Sequence, residues 1–371
     1  MVKNLKNAKK ILTNAACPED VFGELDGKPE EALKKLYRQW ARLTHSDSYR
    51  GTTDKALATE CFKLLQKWRK VADEKIKYGK YGDHNAITKI TLKTRTDAYI
   101  VDERLAPGDI CEIYGGTNKA GDRIVLKVTR SPANNDLAAN EGAQLRYLWN
   151  SAPMKAEPTM MHIVKLLDTF EITEPKIKIK RHINVFPRLD GYYTLRHVIE
   201  EYPEGLDARD AAWMMNRLFI ALYTAHEGGI VHGAVLPTHI MICPNSPKAH
   251  NGVLIDWSYA TKAGGTLRAI SPAFKHFYPA EVLAKAPAKP SIDVYMAAMC
   301  FIELLGGNPK TQSIPDGTHR LIKGFIRSCL LSATNRPRDG WSAFSDFEEA
   351  IKKSFGKRIF RPFTMPRETT T

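Results

Sequence analysis

The sequence predicts an α+β fold: a two-lobed body, strand-rich first and helical afterwards, preceded by an all-α helical hairpin. Three observations carry this reading. Residues 1–82 are Lys-rich, low in Pro and patterned as helices. Residues 105–190 hold short β-branched runs, and from Leu195 onward helical patterns dominate. Strands followed by helices indicate segregated elements rather than an alternating parallel sheet. The chain has 371 residues, 43% hydrophobic and 26% charged. That is enough apolar material for one large core and one small one, and it excludes a mostly disordered, collagen-like or coiled-coil protein.

The reading divides the chain into a helical head at 1–82, a linker with an edge strand at 83–104, a strand-rich lobe at 105–190 and a helical lobe at 191–371. The formal net charge is +14, which favours anionic partners such as nucleic acid, acidic proteins, nucleotide phosphates or anionic lipid. Six cysteines are scattered without a C-x-x-C pair, so a zinc site or disulfide framework is not expected and reduced thiols are. The longest apolar run, residues 294–305, contains Glu303 and falls short of the roughly twenty residues of a span. The basic N-terminus lacks the apolar stretch of a secretory signal. A cytoplasmic protein with no membrane partner is the expectation.

In the head, EEALKKLYRQWARL (30–43) sets Leu33, Leu36, Tyr37, Trp40 and Leu43 on one helical face. Pro29, Glu30 and Glu31 suit a first turn, where a fixed φ and negative charge are favoured. Lys34, Lys35, Arg38 and Arg42 form a basic stripe on the other side. A second helix over 54–77 places Cys61, Leu65, Trp68 and Ala72 together, and the polar loop THSDSYRGTT joins the two. Such helices can bury their faces against each other as a hairpin. The arrangement resembles the J-domain of DnaJ-like co-chaperones, in which a basic helix and a His-Pro-Asp loop stimulate the ATPase of DnaK-type chaperones. Here the loop reads His45-Ser46-Asp47. The resemblance implies partner contacts through Lys34, Lys35, Arg38, Arg42, His45 and Asp47, with a DnaK-type chaperone or another acidic protein as partner. The missing proline removes a backbone constraint.

In the body, strand runs are expected over 109–114, 123–128, 163–170 and 178–186, with a helix over 136–149. Lys127 lies in the apolar run Ile124-Val125-Leu126-Lys127-Val128, where an unpaired ammonium would be costly. Glu141 sits in the following helix. Further on come His232-Gly233-Ala234, Pro237-Thr238-His239 before an apolar triplet, and Asp256-Trp257-Ser258. Then follow Tyr278-Pro279-Ala280-Glu281, Asp293 at the start of an apolar run, and Asn335-Arg336-Pro337. Order and spacing resemble those of protein kinases over residues 105–350.

The resemblance implies a two-lobed protein-kinase-like fold. It places Lys127 on the strand lysine of the nucleotide phosphates, Glu141 on its helical partner and Asp256 on the metal-binding aspartate. Glu281, Arg336 and Asp293 would be scaffold. The departures are as informative. In the phosphate loop only Gly108 survives, with Asp109 beside it. Ala234 stands where the catalytic base belongs, and His239 stands where a metal-binding asparagine belongs. An alanine cannot accept a proton, and losing a positioned base lowers rates about 10²–10⁴-fold.

The resemblance therefore implies a pseudokinase scaffold that binds ATP and Mg²⁺ weakly and recruits a partner through its head. One alternative is an atypical Ser/Thr kinase with His239 as substitute base or ligand. Another is a basic nucleic-acid-binding protein, ranked last because no aromatic-plus-basic sheet surface is evident.

Overall fold

A computed structural model describes residues 4–15, 17–25, 27–49, 51, 53–77, 81–82, 86–151, 158–173, 178–244 and 250–366. The chain forms two compact units. The first comprises Met1–Gly108 and Glu112–Lys127, the second Asp109–Cys111 and Val128–Thr371.

The first unit begins with α1 (Leu5–Asn14), α2 (Glu19–Phe22), α3 (Pro29–Thr44) and α4 (Lys55–Lys77). The Asn4 side chain caps α1 by accepting the Asn7 N–H at 2.8 Å. In α3, Pro29 opens the first turn with Glu30 and Glu31, and Arg42 sits in the last, so both ends suit the helix dipole. The predicted apolar face is inside. Leu33 and Trp40 pack with Cys61, Leu65 and Ala72 of α4 and with Leu5, Ala8 and Leu12 of α1. Each large side chain buried there contributes about 1.5–3 kcal/mol. Lys75 Nζ and Glu19 Oε1 form a buried ion pair at 2.8 Å, and the Gly82 N–H also donates to that oxygen. Arg50 and Thr52 of the loop between α3 and α4 lie outside the described residues.

Four strands follow in spatial order: β1 (Ala86–Lys93), β2 (Ala98–Pro107), β3 (Cys111–Thr117) and β4 (Arg123–Thr129). β1 pairs antiparallel with β2 at the sheet edge. β2 pairs antiparallel with β3, and the register shifts twice, between Val101 and Glu103 and between Arg104 and Ala106. At Gly116 a Cβ would lie 2.0 Å from the Ile100 carbonyl oxygen, so the close approach of β2 admits only glycine there. β2 runs across the segment read from sequence as linker. Its charged residues Asp102, Glu103 and Arg104 hide the alternation, and the bulges break what remains.

The second unit contains α5 (Asn135–Asn150) and the antiparallel pair β5 (Asp168–Thr173) and β6 (Lys180–Pro187). The expected strand at 163–170 starts later, because Ile163 makes an isolated parallel bridge to Leu254 instead. Beyond lie β7 (Tyr193–Thr194), α6 (Leu195–Glu201), α7 (Ala208–Glu227), β8 (Ile230–Val231), β9 (Ile240–Cys243), β10 (Asn251–Leu254) and β11 (Thr261–Lys262). The chain then enters α8 (Ala280–Leu283), α9 (Ser291–Leu304), α10 (Arg320–Cys329) and α11 (Gly340–Phe355). α9 is buried nearly all round, as expected for a helix without a polar face. Its Phe301 meets Phe347 of α11, which also touches Phe219 of α7 and Phe325 of α10. These aromatic contacts centre the core. Among the described residues no helix is long and apolar enough to cross a membrane.

Candidate functional site

The site grows from a buried carboxylate. Asp293, fully buried near the start of α9, accepts three hydrogen bonds. Its Oδ1 takes the Gly233 N–H at 2.8 Å. Its Oδ2 takes the His232 N–H at 2.7 Å and His226 Nε2 at 3.0 Å. His226 has the tautomer for this, since its Nδ1 accepts from the Gly340 N–H at 2.8 Å. The turn after β8 is thereby anchored to the middle of the core. Gly233 has φ +71°, and a Cβ there would lie 2.4 Å from Leu267 Cδ2, so glycine fits the turn as it stands.

His232 is fully buried. Its Nδ1 accepts the Ala234 N–H at 3.2 Å and its Nε2 donates to the Ile255 carbonyl at 3.1 Å. Burial pulls its pKa down to about 4, so the ring is neutral at pH 7 and shapes the turn. Ala234 is also buried and presents only a methyl group. Its carbonyl oxygen receives His239 Nδ1 at 2.8 Å.

His239 ends the 3₁₀ turn Pro237–His239 before β9. Because a carbonyl can only accept, Nδ1 carries the proton. His239 Nε2 faces Asp256 Oδ2 at 3.6 Å, and both side chains are partly accessible. Asp256 lies just past β10 in the left-handed region, φ +60°, a conformation aspartate tolerates better than most residues. The Ser258 N–H approaches its Oδ1 at 3.4 Å. Among the described residues no group of three or more His, Cys, Asp or Glu is placed to hold a metal ion. The donors at hand are therefore one carboxylate and one imidazole nitrogen.

Helix α5 grips the segment after Asp256. Glu141, fully buried, accepts the Trp257 N–H at 3.0 Å through Oε1 and Asn184 Nδ2 at 2.9 Å through Oε2. Asn184 Nδ2 also donates to the Ala138 carbonyl at 2.8 Å. One residue back, Asn140 Nδ2 donates to the carbonyls of Ser258 and Ala260 at 3.1 and 2.8 Å. Trp257 is fully buried, edge-on to the His232 ring. Sequence reasoning singled out Glu141 and passed over both asparagines. The available signals were an amide inside a helix and another inside the apolar run of β6, each of which needs partners when buried.

Asp109 carries a second constraint. The Ser271 hydroxyl donates to its Oδ2 at 2.9 Å, and the Ser271 N–H donates to the Tyr278 hydroxyl. Farther out, Glu281 pairs with Arg336, whose guanidinium lies 5.4 Å from the Tyr295 ring. Burial draws the Arg336 pKa down to about 10.

The remaining predicted residues belong to the first unit. Gly108 is half-buried just past β2. Lys127 is 7% exposed near the end of β4, flanked by buried Ile124 and Leu126. On α3, Lys34, Lys35, Arg38 and Arg42 are all exposed, and with Glu31 and Gln39 they line one shallow surface. After α3, His45 Nδ1 accepts the Asp47 N–H at 3.3 Å, and the His45 ring meets Phe62 edge-on.

No protein-family model matches the chain. It is similar to a probable serine/threonine-protein kinase of Corynebacterium efficiens, 27% identical over 222 residues, or 57% of this chain and 31% of that relative. The chain thus spans about a third of that protein's length. This distant likeness, together with the antiparallel strands and the helical region described above, fits a kinase-like fold.

Proposed function

We propose that the second unit is a pseudokinase, which holds ATP with a divalent cation at Asp256 and does not transfer the phosphate. The observation that carries this reading is Ala234: a buried methyl at the end of an otherwise well-built turn. Asp293 anchors that turn with three hydrogen bonds, and Glu141 holds Trp257. The frame is therefore kept while the group that would accept a proton is gone. Losing such a base lowers rates about 10²–10⁴-fold. A bound cation would neutralise phosphate charge, and Asp256 would supply its carboxylate. Asp109, tied to Ser271, puts a negative charge next to Gly108 and supports weak rather than tight phosphate binding.

Radiolabelled phosphate transfer tests this reading. Wild type is expected to be inactive, and the double variant Ala234→Asp/His239→Asn is expected to gain about tenfold or more, worth about 1.4 kcal/mol in barrier. One observation favours a second reading, an atypical Ser/Thr kinase: Nδ1 donation leaves His239 Nε2 as a proton acceptor. Substantial wild-type transfer that His239→Ala abolishes would establish it.

For the head we propose a J-like recruiting role toward an acidic partner of the DnaK type. The exposed basic row of α3 and the His45-Ser46-Asp47 turn beside it support this. Stimulation of a DnaK-type ATPase is expected to rise with Ser46→Pro and to vanish with His45→Gln. Equal stimulation by the two variants would remove the idea. All six cysteines are buried thiols, which supports a reducing, cytoplasmic setting.

A further inference from the structure

We infer that the cation site at Asp256 prefers a transition-metal ion such as Mn²⁺ over Mg²⁺, because His239 brings an imidazole nitrogen to it. The inference rests on the proposal that Asp256 holds the cation of a nucleotide, and it concerns which cation that is.

The hydrogen bond of His239 sets its tautomer. The Ala234 carbonyl can only accept, so His239 Nδ1 carries the hydrogen of that 2.8 Å bond. In the neutral ring Nε2 is then a bare lone pair. It faces Asp256 Oδ2 at 3.6 Å, and a carboxylate oxygen has no proton to offer it. A cation seated between the two would be held by both. The spacing permits this. Two donors that each lie about 2.0–2.2 Å from one ion can be no more than about 4.4 Å apart. Both side chains are partly open to solvent, 17% and 28%, so an ion can reach them.

The ring is also held in place. Its Nδ1 bond and its position at the end of the Pro237–His239 turn fix the direction of Nε2. A preset donor of this kind discriminates between ions by chemistry. Mg²⁺ takes oxygen ligands and gives up water reluctantly, while imidazole suits the transition metals. Because the pair supplies only two protein ligands, water and nucleotide oxygens must complete the shell. Metal alone should therefore bind weakly, and metal with nucleotide more tightly.

The test uses the full chain with ADP, and with Mn²⁺ or Mg²⁺ as probes. Calorimetry gives the ratio of ADP dissociation constants with Mg²⁺ and with Mn²⁺. That ratio is expected to be about tenfold or more higher in wild type than in His239→Asn, a difference of about 1.4 kcal/mol. Pulsed electron paramagnetic resonance of the Mn²⁺ complex should show coupling to an imidazole nitrogen in wild type and none in His239→Asn. Urea unfolding of the variant checks that it remains folded. Equal ratios with no nitrogen coupling would overturn the inference and leave the nucleotide reading standing. If ADP binds with neither ion, the nucleotide reading falls, and Mn²⁺ alone at millimolar concentration decides. Nitrogen coupling that depends on His239 then supports the site, and its absence overturns it.

Discussion

Replacing Asp293 with asparagine should cost the second unit about 3 kcal/mol without changing the size of the side chain. The carboxylate now satisfies three N–H groups with two oxygens: Gly233 on Oδ1, His232 and His226 on Oδ2. Asparagine keeps one oxygen and turns the other into a donor. If its oxygen stays on the Oδ2 side, the NH₂ group meets the Gly233 N–H. If it flips, the NH₂ meets both histidine donors. His226 cannot escape by changing tautomer, because its Nδ1 is committed to the Gly340 N–H. At least one fully buried donor is left without a partner, at about 1–3 kcal/mol. The surviving bonds also lose their charge assistance, which roughly halves their strength. The amide is cheaper to bury than the carboxylate, which returns part of the loss. Urea unfolding of the full chain gives the difference directly. Heat gives it as a fall of about 6–12 °C at 2–4 °C per kcal/mol. A loss below about 1 kcal/mol would refute the reasoning, since the three bonds would then not be what holds the turn.

Acid should weaken the second unit through His232. Its pKa is about 4 folded against 6.5 in the unfolded chain, so the unfolded state takes the proton first as pH falls. Stability present above about pH 6.5 is lost down to about pH 4, by about 3 kcal/mol at 1.36 kcal/mol per pKa unit. Unfolding free energies between pH 4 and 7 should fall less steeply in His232→Gln. Burial lowers His162, His182 and His250 in the same direction, so some slope remains. In the head, Ser46→Pro should stabilise by about 0.4–1 kcal/mol. Ser46 opens the 3₁₀ turn Ser46–Tyr49, and His45 before it has φ −68° and ψ 129°, the conformation a following proline prefers. Thermal melts of the two chains check it, and a destabilised variant would mean that the turn is not proline-compatible.

Much of this architecture is written in local pattern. The helical faces of α3 and α4 follow from apolar spacing alone, and Leu33, Cys61, Leu65 and Ala72 are all buried. Helix α5 follows from its pattern to within a residue at each end, Asn135–Asn150 against the expected 136–149. β2 was hidden because three charged residues and two bulges interrupt its alternation. The histidine that faces Asp256 could be named from spacing, but its tautomer and aim depend on a carbonyl five residues back. Asn140 and Asn184 owe their roles to partners far along the chain, at Ser258, Ala260 and Glu141. The Ser271–Asp109 bond spans 162 residues. No periodicity reports such pairings, because each depends on tertiary packing rather than on the residue's own neighbours. The stretch after α11 is similar: Phe363 and Met365 are buried, and Arg361 forks onto Asp210 of α7, though nothing near them in sequence announces a core.

The central claim is that ATP is held and left intact. It is tested most directly by equilibrium dialysis of the protein, in excess over γ-labelled ATP with Mn²⁺, and identification of the nucleotide on the protein side. Label enriched there as intact ATP is expected in wild type and is expected to be lost in Asp256→Asn. Conversion to ADP with label on protein would contradict the claim, as would no enrichment of nucleotide on the protein side.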